Sequence, residues 1–457
     1  MISEEGTSMA LNNDDNKQSP LANTDFISEK IKQRPINKKK LFRRTVITFA
    51  LAVLFGIVAC FTFLVLQPLF SDRLFPEKEP EAISFPAESA SDELTPEEMF
   101  ADDSEIAAVE AMSLEESQKG QIDAAIASYN FDSSDYGKMM NSLKSIASEA
   151  GRSMVKVTGL SNDANWFSES IQSSTATSGA IVADNGVSLF ILVPYSAVEE
   201  ADSIRVTFCD NTTATANIRL ADSVSKFCIL NVRIAALSEE TKDHILVATL
   251  GSSNSNSITG RPVIAVGSPI GVQDSIAYGI ITSEKTSLDL PDTDYKLLTT
   301  DIAGSSNGSG ALINLSGQIV GMIDMAYTPE DLKGNICAVG ITELKSLIED
   351  LSNLKDRAYL GVHGTTIPTD IIQAGNIPAG AYITLTEMNS PAMKAGIQSG
   401  DIITAFNSQE ITSYEMLIAR LAECKPDDII TITVMRQAPT DYISLDIEVT
   451  LEKSTHG

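Results

Sequence analysis

Apolar and polar residues alternate differently in successive parts of this chain. An unbroken apolar run, TVITFALAVLFGIVACFTFLVL, begins at Thr45. A helix needs about 20 such residues to cross a bilayer, so the run predicts a transmembrane helix over 45–67. A cleaved signal peptide has a shorter apolar core, and the lipoprotein-like box from Ile57 to Cys60 is followed by more apolar residues. The pattern therefore favours a retained anchor over either of these alternatives.

The next part of the chain, residues 68–145, is acidic and contains several prolines. Such a composition cannot bury enough apolar surface to fold alone, and like charges extend a linker. We expect an acidic disordered stalk that is partly helical, because stretches such as YGKMMNSLKSIASEAG have apolar residues at helical spacing.

Beyond the stalk, residues 150–350 contain short apolar runs such as SGAIVAD, SLFILVP and PVIAVGS, separated by Gly, Asn and Asp. Many short strands at regular spacing predict a mainly β barrel or sandwich. Residues 356–455 mix strands with two helical stretches, SPAMKAGI and SYEMLIARLAEC, and predict a small separate α+β domain.

The net charge of the chain argues against one class of function. The 457 residues carry a formal net charge of -28, which argues against nucleic-acid binding because phosphate neutralisation needs a basic face. The five cysteines form no C-x-x-C pair, and we expect no metal and no cofactor. Residues 1–44 form a polar tail ending in a basic cluster. Lys and Arg on that side predict a cytoplasmic N-terminus, with the later domains outside the cytoplasmic membrane.

Two segments carry a resemblance to a known family. AVGSPIGVQDSIAYGIITS (265–283) and TTDIAGSSNGSGALINLSGQIVGM (299–322) resemble conserved stretches of the HtrA/DegP family, and SPAMKAGIQSGDIITAFNSQEI (390–411) resembles the family's PDZ domain. The resemblance implies a trypsin-like double β-barrel followed by a PDZ domain, often behind a membrane anchor. The family also forms trimers, so a homotrimer is one expected assembly.

The resemblance places the catalytic positions and shows them altered. Ser309 falls where the family has its nucleophile, Ser196 where it has the histidine, and Lys226 where it has the aspartate. Serine hydrolysis needs an imidazole as base and a carboxylate to orient it. In the oxyanion region, Asn307 stands two residues before the nucleophile, where glycine is usual, and is followed by Gly308.

Two functions follow from these positions. The favoured one is a noncatalytic pseudoprotease that binds exposed C-termini or misfolded segments. The family's carboxylate-binding loop then corresponds to Tyr359, Leu360, Gly361 and Val362, with SYEMLIARL as the groove helix. The alternative is an active serine endopeptidase for envelope quality control. Its rearranged site would combine Ser309 and Ser196 with Lys226, and the lysine would have to be neutral.

Overall fold

The computed structural model describes residues 42–43, 46–58, 81–86, 132–163, 171–254, 258–375, 377–439 and 441–456. The chain divides into two units, Met1–Glu77 and Lys78–Gly457. In the first unit residues 46–58 are helical with exposed side chains. Within the described part of the chain, no helix combines the length and the hydropathy that crossing a membrane requires. The remaining residues of the predicted 45–67 helix lie outside the described ones.

In the second unit, the first described helix is α1 (Ser133–Gly151), which the sequence predicts. Asp132 and Asp135 form a capping box at its N-terminus, so two of the free N–H groups of the first turn are bonded.

The first barrel follows α1. Its strands are β1 (Met154–Asp163), β2 (Ile171–Asp184), β3 (Ser188–Pro194), β4 (Ser203–Thr207), β5 (Thr213–Asp222) and β6 (Phe227–Arg233). They pair in the order β5-β4-β1-β2-β3-β6, and β5 also pairs with β6, which closes the sheet. A short helix, α2 (Glu239–His244), comes next.

The second barrel is built from β7 (Pro262–Ser268), β8 (Ser275–Ser287), β9 (Lys296–Ala303), β10 (Ser309–Ile313), β11 (Ile319–Asp324) and β12 (Asn335–Gly340). These strands close in the order β10-β11-β12-β9-β8-β7. Helix α3 (Ile341–Ser352) ends this domain. The predicted double barrel is thus confirmed.

The two barrels share a hydrophobic core. Strand β3 is buried at every position because its alternating side chains serve two clusters. Leu189 and Ile191 point into the first barrel, whereas Phe190 and Leu192 pack with Val266 and residues of α3 in the cluster between the barrels. Burial on both faces explains the continuous apolar run of this strand.

Residues 81–86 differ from the expected stalk. Their backbone is not helical, and Ile83 and Phe85 pack against the shared core. Ile83 donates its N–H to Asn353 and accepts from the Asn353 amide at 2.7 Å. Phe85 donates its N–H to Glu349. The acidic composition of residues 68–145 gave no indication that Ile83 and Phe85 pack against the folded domain.

The last domain is a small α+β unit. Its elements are β13 (Ala358–Tyr359), β14 (Val362–Thr366), α4 (Thr369–Gly375), β15 (Ala381–Thr386), α5 (Pro391–Ala395), β16 (Ile402–Phe406), β17 (Gln409–Glu410), α6 (Tyr414–Ala422), β18 (Ile429–Gln437), β19 (Tyr442–Thr450), β20 (Glu452–Lys453) and β21 (Thr455–His456). The main sheet runs β14-β15-β16-β18-β19. Both predicted helical stretches are present, as α5 and α6.

The end of the chain connects this domain to the first barrel. Strand β20 pairs with β13, and β21 pairs with β5. Ser223 donates both its N–H and its hydroxyl to the carbonyl of Ser454, at 3.0 and 2.7 Å. The barrels and the last domain are therefore joined by backbone hydrogen bonds as well as by the chain itself.

Candidate functional site

A cleft of about 490 Å³ lies beside the start of β10. It receives residues from β2, from the turn after β3, from the loop before β10 and from the end of β11. The lining residues are Thr175, Ala176, Thr177, Pro194, Ser196, Ala197, Ser306, Asn307, Gly308, Ser309, Asp324, Met325 and Ala326. Two of the predicted catalytic positions, Ser196 and Ser309, thus share one cleft.

Ser309 is the first residue of β10 and is only 6% exposed. Its neighbours across the sheet are Ser268 of β7 and Asp324 of β11. The Ser309 Oγ accepts the backbone N–H of Ser178 at 2.9 Å and lies 2.8 Å from the Ser268 Oγ. Ser178 belongs to the first barrel, so this hydroxyl bridges the two barrels.

The three serines form a small buried network. The Ser178 Oγ donates to the Ser268 Oγ at 3.1 Å, and all three residues are buried. Serine hydroxyls can exchange hydrogen bonds, but they do not hold a proton as a neutral imidazole does. The groups bonded to Ser309 therefore position its oxygen without activating it.

Ser196 occupies the 3-10 turn Tyr195–Ala197 that follows β3, and its side chain is exposed at the cleft. This is the place where the resemblance puts the histidine. None of the three histidines lines the cleft: His244 contacts the Glu240 carbonyl, His456 lies in β21, and His363 lies in the last domain. The described cleft thus has no imidazole base.

Lys226 does not join the other two positions. Its side chain is exposed, and it is not among the described residues that line the cleft. Its backbone is held in the turn between β5 and β6, with φ of 54°, by bonds from its N–H to Asp222 and from the Tyr195 N–H to its carbonyl. The structure does not bring together a Ser309, Ser196 and Lys226 relay.

In the oxyanion region, the N–H groups of Asn307 and Gly308 are directed to Ser305 of the same loop. The N–H of Asn307 is directed to the Ser305 Oγ at 3.4 Å, and the N–H of Gly308 donates to the Ser305 carbonyl at 2.7 Å. An oxyanion hole needs donors aimed at the place where the negative oxygen forms. The Asn307 donor instead points into its own loop.

Asp324 also faces this cleft, although no sequence motif singled it out. It stands opposite Ser309 across the sheet, and its carboxylate accepts the Ala326 N–H at 3.0 Å. Burial raises the pKa of this carboxyl, and the Ala326 bond opposes the rise. Its position at the end of an apolar strand, IVGMID, was a usable signal.

A second candidate site is the predicted carboxylate-binding loop. The N–H groups of Leu360 and Gly361 donate to one carboxylate oxygen of Asp292 at 2.7 and 2.8 Å. The N–H of Val362 donates to the other oxygen at 3.0 Å. Three of the four predicted residues therefore bind a carboxylate through their backbone, and that carboxylate belongs to the loop between β8 and β9 of the same chain.

Gly361 makes this geometry accessible. Its φ is 83°, in the left-handed region that favours glycine. A Cβ at this position would lie 2.3 Å from the Ser390 Cβ and 2.9 Å from the Tyr359 hydroxyl. The fourth predicted residue, Tyr359, thus borders the loop without donating to Asp292.

The Asp292 carboxylate is buried. Burial raises its pKa to about 6, and the N–H bonds from Gly361, Val362 and Leu360 and the nearby His363 oppose that rise. Three backbone donors compensate a buried carboxylate for its lost water.

Comparisons with known proteins agree with this architecture. Residues 177–322 match the trypsin-like peptidase domain family, and residues 349–449 match the PDZ domain family. The "Probable periplasmic serine endoprotease DegP-like" of Hahella chejuensis is 29% identical over 280 residues, which are 59% of this chain and 56% of that protein. The "Serine protease Do-like HtrA" of Bacillus subtilis is 28% identical over 346 residues, 69% of this chain and 74% of that protein. Together the two domains and these relatives support an HtrA-like protein.

A solved HtrA-like structure has the same fold. The chain titled "HtrA-type protease AlgW with decapeptide" is 19% identical, with a TM-score of 0.50, and the match covers 67% of this chain and 97% of that one. The present chain spans only 56% of the Hahella protein's length. In the matched part, the present chain has a trypsin-like double barrel followed by a PDZ domain.

Proposed function

We propose that this HtrA-like protein is a noncatalytic binding protein whose PDZ domain takes carboxylate-bearing peptide segments. The observation that carries the proposal is the surrounding of Ser309. Its Oγ is bonded to the Ser178 N–H and the Ser268 hydroxyl, and Ser196 stands at the histidine position. Loss of the histidine, which takes up the proton, and of the aspartate, which orients it, costs a serine protease several orders of magnitude in rate.

The binding part of the proposal rests on the loop Leu360–Val362. Its three N–H groups already hold a carboxylate, which is how PDZ domains hold the C-terminus of an extended peptide. We expect the ligands to be exposed C-termini or misfolded protein segments, and no nucleic acid.

The location is part of the same proposal. The apolar run 45–67 with the preceding basic cluster supports a single-pass anchor with the N-terminus in the cytoplasm. Both folded domains would then lie outside the cytoplasmic membrane, and the Hahella relative is named a periplasmic protein. A protease added to spheroplasts, whose cytoplasmic membrane is intact and accessible, should degrade the part after residue 68. Full protection in spheroplasts, with cleavage after their lysis, would refute this orientation.

The test of the noncatalytic role is turnover of unfolded casein by the full chain in detergent. We expect the wild type and Ser309→Ala to release peptides at the same background rate. The competing function is an endopeptidase with a rearranged site, which the exposure of Ser196 beside Ser309 in one cleft favours. Cleavage that disappears in Ser309→Ala would establish that alternative.

A further inference from the structure

The carboxylate-binding loop contains a ligand from its own chain. We call residues 288–294, which read LDLPDTD, the docking segment. It connects β8 to β9 of the second barrel. Its Asp292 carboxylate takes all three N–H groups of the loop, at 2.7, 2.8 and 3.0 Å. Any other carboxylate that binds there must replace this one.

The backbone of the docking segment also contacts the loop. The N–H of Asp292 donates to the carbonyl of Val362 at 2.8 Å. Val362 begins β14, the strand whose free edge would pair with an added peptide strand. Asp292 therefore makes both kinds of contact that a bound peptide end makes, one to the N–H groups and one to the carbonyl.

The groove beyond the loop is filled as well. The Tyr414 hydroxyl donates to the same Val362 carbonyl at 3.0 Å. The Tyr414 ring lies against β14, where a Cβ built on Gly364 would come within 2.6 Å of ring carbons. Tyr414 is the first residue of the predicted groove helix and is buried. A peptide strand beside β14 thus needs this ring to move.

A histidine beside the loop fastens the docking segment at a second point. The His363 Nδ1 lies 2.6 Å from Asp289 of the segment, and the Nε2 lies 2.9 Å from Glu387 of the PDZ domain. The His363 side chain is 7% exposed. His363 thereby bridges an acidic group on each side of the contact.

We infer that Asp292 is an internal ligand of the PDZ loop, so that an incoming C-terminus binds this chain only by displacing the docking segment. The inference rests on the proposed carboxylate-binding function, and it adds how that site is regulated. The apparent affinity for a peptide is reduced by the fraction of molecules in which the loop is occupied.

Amide hydrogen exchange on the full chain in detergent tests occupancy without any added ligand. We expect the amides of residues 360–362 to exchange at least about tenfold faster in Asp292→Asn and Asp292→Ala than in the wild type. Asp294→Asn is the matched control, since it removes a charge from the same segment without touching the loop. Equal exchange in the wild type and in a folded Asp292 variant would overturn the inference.

Competition is tested with a dye-labelled octapeptide that ends in valine with a free carboxylate, and with its C-terminal amide. We expect Asp292→Asn to bind the free acid at least about tenfold more tightly than the wild type or Asp294→Asn does. Equal affinity in all three would overturn the inference while supporting peptide binding. If no variant binds the peptide although the loop amides exchange faster in Asp292→Asn, occupancy stands and the proposed peptide-binding function fails.

Discussion

The bridging role of Ser309 makes an unusual prediction for Ser309→Ala. In a serine protease this substitution is chosen to remove activity and leave the fold intact. Here the Oγ is the acceptor for the Ser178 N–H at 2.9 Å, and both residues are buried. Alanine leaves that N–H without its partner inside the protein.

The loss of stability in Ser309→Ala can be estimated from the groups that lose a hydrogen-bond partner. The Ser178 N–H loses its acceptor, whereas the Ser268 Oγ still accepts from the Ser178 Oγ at 3.1 Å. A buried donor without a partner costs about 1–3 kcal/mol. For a domain of this size each kcal/mol lowers the midpoint by about 2–4 °C, so we expect a loss of about 2–12 °C.

Thermal unfolding followed by near-UV circular dichroism measures the effect. Ser306→Ala is the control, because Ser306 lines the same cleft and is exposed, and surface changes of this kind stay within about 0.5 kcal/mol. A midpoint for Ser309→Ala equal to or above that of Ser306→Ala would refute the structural role. It would indicate instead that the serine is held at a cost to stability, as catalytic residues are.

Two further predictions concern the pH dependence of docking at the PDZ loop and the stability of the second barrel. Burial opposes the charged form of His363, but the bonds to Glu387 and Asp289 outweigh this effect, and the pKa of His363 is raised. Burial also raises the pKa of Asp292, to about 6. Both groups hold protons more tightly when docked, so docking is favoured at low pH and weakens as the pH rises through their docked pKa values. The opening of the Gly361 amide, from hydrogen exchange corrected for intrinsic rate, should increase from pH 5 to pH 8, and a decrease would contradict this. Gly310→Ala should destabilise the second barrel by more than about 3 kcal/mol, because φ is 132° and its Cβ would lie 2.0 Å from the Val266 carbonyl; unfolding in urea measures it, and a loss below about 1 kcal/mol would show that the strand can shift.

Local patterns predicted much of the fold and the position of Ser309. Strands such as β3 and helices such as α1 and α6 follow from apolar spacing and capping within a few residues. The place of Ser309 at the entrance of an apolar strand could be read in the same way, and Ser196 does line the same cleft.

The partners of these groups could not be read from the sequence because they are distant along the chain. Ser178 is 131 positions from Ser309, and Asp292 is 68 positions from Leu360. Such pairs depend on how the barrels and the PDZ domain pack. The position of Lys226 could not be read from the sequence for the same reason: it lies in the β5–β6 turn and is not among the described residues that line the cleft.

Covalent labelling shows whether Ser309 acts as a nucleophile. The full chain in detergent is incubated with a fluorophosphonate probe, with trypsin labelled in parallel and with Ser309→Ala as the background, and the adduct is located by peptide mass spectrometry. We expect trypsin to be labelled and residue 309 to carry no adduct. Stoichiometric modification of Ser309 in the folded protein, absent from Ser309→Ala, would show that Ser309 is a nucleophile and that the noncatalytic role is wrong.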